Sequence, residues 1–352
     1  MLRRLIVPAL AVGGLALAGA APASAATGGQ DCQGAVVAAD GSADFTTVQA
    51  AVDAVPAGNA RRCPIFVRPG VYREVLHVPS DKPFLSLVGT GRRASDVVIT
   101  YDNANGTPRP EGGTYGTSGS ASVTIDGNDF RASHLTFANS FDEAAHPEIT
   151  NRQAVAVLTR GDRLVFADVR FLGNQDTLYL NSPSATAVSR VYLVRSYVEG
   201  DVDFIFGRAT AVFEWCLVKA LDRGQDPDGF VTAASTAITN PYGFLFLHSA
   251  LTSDAPAQTF YLGRPWHPGN DPNAIAQVTI RESWLGAHIK QAPWFDFGTW
   301  SWRDARYFED HNVGPGAGTG PDRPQLSQEQ AAGATRRTYL AGTDGWDPHS
   351  IV

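Results

Sequence analysis

The chain has 352 residues, 43% hydrophobic and 18% charged, with Gly 35 and Pro 22. That composition excludes intrinsic disorder, collagen and low-complexity architectures. The formal charge is -7 with no run of Lys or Arg, which argues against a binder that neutralises nucleic-acid phosphates.

At the N-terminus, Met1-Leu2-Arg3-Arg4 is basic, residues 5–20 are apolar and Ala23-Ser24-Ala25 is a small-x-small site. This order predicts a secretory signal peptide cleaved after Ala25, and hence a secreted, extracellular protein. The uninterrupted apolar run is shorter than the ~20 residues that cross a bilayer, so no membrane partner is expected. Removing 25 of 352 residues leaves 327, numbered 26–352, and losing Arg3 and Arg4 takes the formal charge from -7 to -9. At ~150 residues per domain the length suggests about two domains.

Cys32 and Cys63 either pair in an oxidising compartment or remain two free thiols. After Asp44, Phe45, Val48, Val52 and Val55 recur at helical spacing, with Thr46 or Thr47 as N-cap. From there the chain breaks into short β-branched and aromatic runs separated by Gly, Asn and Asp. Val123–Ile125 is followed by a run ending at Phe137; three later pairs of runs end at Phe171, Val198 and Val218. Taking those four as equivalent gives steps of 34, 27 and 20 residues, too irregular for a propeller or a leucine-rich repeat. Interleaved helices are missing, which disfavours a βαβ wind. Two all-β readings stay open on pattern alone. One is a parallel β-helix, whose turns vary freely; the other is an antiparallel sandwich. In a solenoid the helix after Asp44 would cap the N-terminal end, because end coils expose apolar surface and strand edges.

Further along, Cys216 reads as a buried thiol, and the aromatic-rich segment 294–310 would lie along the solenoid side. Ser327-Gln328-Glu329-Gln330 is a capping box opening a C-terminal helix that Leu340 closes before Gly342. Neither the histidines nor the cysteines have metal-ligand spacing, and there is no H-E-x-x-H, P-loop or G-x-S-x-G. No metal or organic cofactor is therefore expected.

Chemistry is concentrated in polar residues set among apolar ones. In Gly173-Asn174-Gln175-Asp176-Thr177-Leu178, Gln175 and Asp176 are consecutive and would face opposite ways on a strand. In Asp203-Phe204-Ile205-Phe206-Gly207 a carboxylate sits among apolar neighbours, where burial without a partner is costly. In Leu262-Gly263-Arg264-Pro265-Trp266 an Arg lies between a Gly that permits close backbone approach and a stiffening Pro. Two carboxylates and one Arg in such contexts read as one site.

With Gly70-Val71-Tyr72-Arg73-Glu74 and Gln153-Ala154-Val155-Ala156, these make five motifs in an order that resembles the pectinesterases (pectin methylesterases), over residues 40–346. The resemblance implies an all-β, right-handed parallel β-helix and one domain over 26–352, in place of the two that length suggests. It implies hydrolysis of galacturonate methyl esters in pectin, releasing methanol, by a monomer needing no cofactor. The motif match makes Asp203 the nucleophile, Asp176 the acid/base, and Gln175 and Gln153 the oxyanion-stabilising amides. Arg264 would orient Asp203 and contact substrate, and Trp266 would carry a sugar ring. Arg264 would depress the Asp203 pKa, while burial and like charge would raise that of Asp176. For Gln153 a stacked polar ladder, and for Trp266 turn packing, are the competing readings. Gly70, Tyr72 and Glu74 read as structural and His267 as surface. A related β-helix esterase or thioesterase on another substrate, or a non-catalytic carbohydrate-binding β-helix, are the alternative functions. Two features depart from the family pattern: an insertion over 181–189, and Asp201, whose carboxylate on the nucleophile's strand face could repel anionic sugars.

Overall fold

Three sheets of parallel strands wind around one core, of ten, eight and seven strands. The structure is a computed structural model and describes residues 32 and 34–351, so the expected signal peptide lies outside the described residues. Each of the middle coils gives one strand to each sheet. One such coil is Leu164–Ala167, Arg170–Leu172 and Leu178–Leu180; the next is Arg190–Val194, Tyr197–Gly200 and Val202–Gly207. This is the parallel β-helix, and the sandwich reading falls. The equivalences read from spacing hold in register: Phe137 pairs with Phe171, Phe171 with Val198, and Val198 with Val218.

The uneven steps have a local cause. Between the ten- and eight-stranded sheets the turn is short in successive coils, as at Asp168-Val169, Arg195-Ser196, Trp215-Cys216 and His248-Ser249. The first residue of each takes a left-handed conformation, with φ of 56°, 48°, 57° and 49°. The turns on either side of the seven-stranded sheet vary instead. Asp201 alone joins Tyr197–Gly200 to Val202–Gly207, whereas residues 221–228 join the next pair. Length changes therefore accumulate around one sheet, and loops placed there are free to carry function.

The first helix is Val48–Ala54, capped by the Thr47 hydroxyl, with Val48, Ala51 and Val52 buried over the first coil. Phe45 precedes it as a bridge to Val37 rather than joining its apolar stripe. The Glu74 carboxylate accepts from the Val48 and Gln49 N–H groups at 2.8 Å each, and the Tyr72 hydroxyl donates to the Arg68 carbonyl at 2.8 Å. The motif from Gly70 to Glu74 thus anchors the cap, satisfying donors that the helix cannot pair itself. Cys32 and Cys63 form a disulfide and Cys216 is a buried free thiol.

At the other end the expected single helix is two, Gln328–Gly333 and Arg336–Leu340, broken where Thr335 caps the second. The Ser327 capping box is present. The second helix packs on the outside of the ten-stranded sheet against Arg190–Val194 and Thr210–Glu214. Segment 294–310 does not lie along the side. Trp294 enters the core and stacks on Tyr307 at 4.2 Å, and Arg306–Asp310 is the last strand of the ten-stranded sheet. Its aromatics carry no period because they divide between the core, at Trp294 and Tyr307, and partly exposed contacts, at Phe297 on Arg264 and Trp300 on His267.

Candidate active site

The polar motifs converge at the turns that lead into the seven-stranded sheet. Asp176 lies in the turn before Leu178–Leu180, and Asp203 lies where the pairing of Val202–Gly207 slips between Val202 and Ile205. Both have positive φ, 68° and 51°. Few non-glycine residues take this conformation; Asp does so because its short side chain can bond locally. The strand alternation expected for Gln175 and Asp176 is thereby overturned, since both belong to a turn. The Ala154 N–H donates to the Gln175 carbonyl at 3.1 Å, and the Asp176 N–H donates to the Val202 carbonyl at 3.0 Å. Gln153, Gln175-Asp176 and Val202-Asp203 therefore stand on successive coils. Arg264 arrives from just past strand Phe260–Gly263, its N–H donating to the Thr232 carbonyl at 3.0 Å. Gly263 is required there: a Cβ would lie 2.1 Å from Thr232 Oγ1.

Arg264 clamps Asp203 with both faces of its fork. Its Nε donates to Oδ1 at 2.9 Å and its Nη2 to Oδ2 at 2.7 Å, the bidentate geometry that guanidinium provides. The guanidinium is itself held between the rings of Phe230, at 3.9 Å, and Phe297, at 4.5 Å. Burial pushes the Asp203 carboxyl above its ordinary pKa, and the Arg264 hydrogen bonds and charge pull back against it. The expected depression is thus corrected: burial outweighs the ion pair. Asp176 is raised well above its ordinary value, first by burial and then by the Asp203 charge, and the Arg264 charge, which is bonded to Asp203 and not to it, offsets this only in part. The two carboxyls remain ordered as their chemistry needs, with Asp176 the one that keeps its proton longer.

Asp201 takes no part in that clamp. It stands at the foot of the strand, 3.6 Å from Arg223, and burial pushes it up to about 6. It lines a cavity of about 710 Å³ that is acid-rich, with Asp142, Glu143, Glu199 and Asp222 against Arg152 and Arg223.

Beyond the carboxyls the outer face of the sheet is apolar. Tyr179 stacks on Phe206 at 4.1 Å, and Trp266 meets both edge-on, at 5.9 and 5.6 Å. Trp266 stays half-exposed while packing against this cluster. The Gln153 amide oxygen is buried without a hydrogen-bond partner, unlike a satisfied ladder residue. His267, expected on the surface, is buried: it stacks on Trp300 at 3.8 Å and its Nδ1 meets the Asp271 carbonyl at 2.8 Å. Sequence reasoning missed Tyr179, Phe206, Phe230 and Phe297. Phe206 sits within the Asp203–Gly207 motif and Tyr179 directly follows the Gly173–Leu178 one, so both were readable; Phe297 comes from a loop with no local signal. Among the described residues no group of three or more His, Cys, Asp or Glu is arranged to hold a metal ion.

Fold and site together define a carbohydrate esterase of the parallel β-helix type. The pectinesterase family pattern matches residues 34–335. A pectinesterase of Ralstonia solanacearum is 39% identical over 315 residues, covering 80% of this chain and 79% of that protein. A pectin methylesterase crystallised in complex with a hexasaccharide superposes with a TM-score of 0.79 at 32% identity, covering 89% of this chain and 98% of its own. The carrot pectin methylesterase does so with a TM-score of 0.74 at 28% identity, covering 94% and 98%. The chain belongs to the pectinesterase family and is a hydrolase of carboxylic esters.

Proposed function

We propose that the enzyme is secreted as residues 26–352, one domain and a monomer, and removes methyl esters from galacturonate units of pectin by a two-aspartate mechanism. The observation that carries this reading is the pair of buried carboxyls in unlike surroundings, one clamped by Arg264 and one bearing no cation. Asp203, ionised against Arg264, attacks the ester carbonyl carbon and forms a tetrahedral oxyanion. The side-chain amides of Gln153 and Gln175 donate to that oxygen, on the neighbouring coils where charge develops. As the carbon–methoxy bond breaks, Asp176 gives its proton to the leaving oxygen and methanol departs, leaving an acyl anhydride on Asp203. Asp176, now a carboxylate, takes a proton from water. The resulting hydroxide attacks the acyl carbon, the bond to Asp203 breaks, and galacturonic acid leaves and gives its proton to solvent. Protons balance over the cycle, and no step calls on a metal or an organic cofactor. Trp266 supports a sugar ring over the Tyr179–Phe206 floor. Because the mature formal charge of -9 offers no general attraction for an acidic polymer, capture rests on these local contacts.

The direct test is methanol released from highly methyl-esterified pectin. Stoichiometric methanol and free carboxylate are expected; a folded, inactive protein would leave the non-catalytic carbohydrate-binding reading in its place.

A further inference from the structure

Arg208 and Asp203 bracket one strand of the cleft, roughly 15 Å apart at the usual rise of a strand. Arg208 directly follows Gly207, where a Cβ would lie 2.1 Å from the Leu180 carbonyl oxygen. The next residue is tied down as well, with the Ala209 N–H donating to Leu180 O at 3.0 Å. The backbone that presents Arg208 is therefore fixed. Its guanidinium makes no ion pair or hydrogen bond among the described residues, although the residue is half-buried. The other arginines around the cleft are engaged: Arg264 with Asp203, Arg160 with Asp126, Arg152 with Glu143 and Arg223 with Asp201. A partly desolvated cation with no anion is costly, and its field is strong where water is thinned.

Its surroundings point to a ligand. Arg208 stands near the aromatic floor, for its charge counters part of the rise that burial imposes on the Tyr179 hydroxyl. Asn181 and Ser235 follow the strands on either side of it, but Asn181 Oδ1 and Ser235 Oγ are shut off from solvent, so the half-buried guanidinium is the group open to a ligand. An unpaired cation on a fixed backbone beside an aromatic floor suits an anionic sugar. The opposite end of the same strand offers the reverse charge, the acid-rich cavity containing Asp201. A polymer with both neutral and ionised units finds the two ends of the cleft electrostatically unlike.

We propose that Arg208 is a specificity-determining residue that binds the free carboxylate of an already de-esterified galacturonate unit, further along the chain than the unit being hydrolysed. This rests on the two-aspartate pectin methylesterase reading and deepens it. The guanidinium pairs with the carboxylate through two N–H donors.

The test compares wild type, Arg208→Gln and Arg208→Lys on fully and half methyl-esterified pectin, with methanol as the readout. Arg208→Gln should raise KM on the half-esterified polymer about tenfold more than on the fully esterified one, with kcat following neither; Arg208→Lys should restore part of the difference. Binding of polygalacturonate, measured by calorimetry at low salt, should weaken about tenfold in Arg208→Gln and converge with wild type at high salt. Equal changes in KM on both pectins, with unaltered polygalacturonate binding, would overturn the assignment. Absence of methanol from wild type on either pectin would instead sink the function it rests on, while the calorimetry still reports on Arg208. Thermal melting of Arg208→Gln identifies a folding defect, which would move both substrates alike and so count against the proposal.

Discussion

Two sheets of this solenoid carry a second apolar face, and they use it differently. On the ten-stranded sheet Val165, Tyr192, Val212 and Leu245 stand in register on the outside, covered by Ala334, Tyr339 and Leu340 of the C-terminal helices. On the seven-stranded sheet Leu158, Tyr179, Phe206 and Ala233 stand in the same relation, and among the described residues no helix lies over them; Trp266 borders them instead. The periodicity is identical, so burial pattern alone does not separate structure from function. The polar groups beside each row do. Around the covered row they are consumed: Arg190 donates to Asp162 at 2.6 Å and to Asp344 at 2.9 Å, while Arg336 and the Tyr192 hydroxyl both bond Glu214. Around the open row, Asp176 makes no ion pair among the described residues and the Gln153 oxygen is orphaned. Both rows are buried, so it is the unspent polar groups beside the second that mark the cleft.

The largest effect that separates the rows falls on turnover. Asp203→Asn removes the attacking oxygen and should lower methanol release by about 10⁴-fold or more, with a melting temperature no lower than wild type. Retention of turnover within tenfold would remove Asp203 from the nucleophile role. Asp176→Asn should lower kcat by about 10²–10⁴-fold and change stability in a pH-dependent way. Because the folded pKa of Asp176 is raised from 3.8, its contribution is complete below that value and is lost as pH rises through the folded pKa. Asn does not titrate, so the variant should gain stability over wild type as pH rises from about 4. Denaturant midpoints across that window check the sign; a gain that grows toward acid contradicts it. Activity of the wild type should fall on the acid side as Asp203 takes a proton, and on the alkaline side as Asp176 loses its own.

The covered row should respond in the opposite manner. Leu340 is fully buried under the C-terminal segment. Leu340→Ala should cost about 3 kcal/mol of stability through lost burial and a cavity. Methanol release per folded molecule should not move, because Leu340 belongs to a helix packed on the ten-stranded sheet, away from the carboxyls. A denaturation curve paired with an active-site-normalised rate reads both quantities at once.

Much of this contrast was legible in the sequence and part was not. The equivalence of Phe137, Phe171, Val198 and Val218 was readable because inward positions are dictated by burial, which is indifferent to turn length. Asp176, Asp203 and Arg264 stood out for the converse reason, as charge in apolar context. The facing of Gln175 and Asp176 was misread because strand alternation carries no sign of a left-handed residue at Asp176. His267 was misplaced because the ring that buries it, Trp300, follows it only after a long irregular segment. The direction of the Asp203 shift depended on how deeply that carboxyl is buried, a property of the coils above and below rather than of its own motif. The break between the two C-terminal helices was hidden behind a continuous helical composition, although Thr335 is an ordinary N-cap.

The finest discrimination comes from Trp266 set against Tyr339. Both are aromatic residues lying against an outer apolar row, but Trp266 is half-exposed and Tyr339 is buried with its hydroxyl accepting from the Gln277 amide at 2.9 Å. A ring that only packs a turn contributes stability and nothing to substrate affinity. A ring that carries a sugar contributes about 1–1.5 kcal/mol of binding, or roughly tenfold in KM. Trp266→Ala should therefore raise KM about tenfold on fully esterified pectin while kcat changes little and the melting temperature shifts less than in Tyr339→Ala. If Trp266→Ala instead loses stability like Tyr339→Ala and keeps its KM, the open row is packed just as the covered one is, and the sugar platform must be sought at Tyr179 and Phe206.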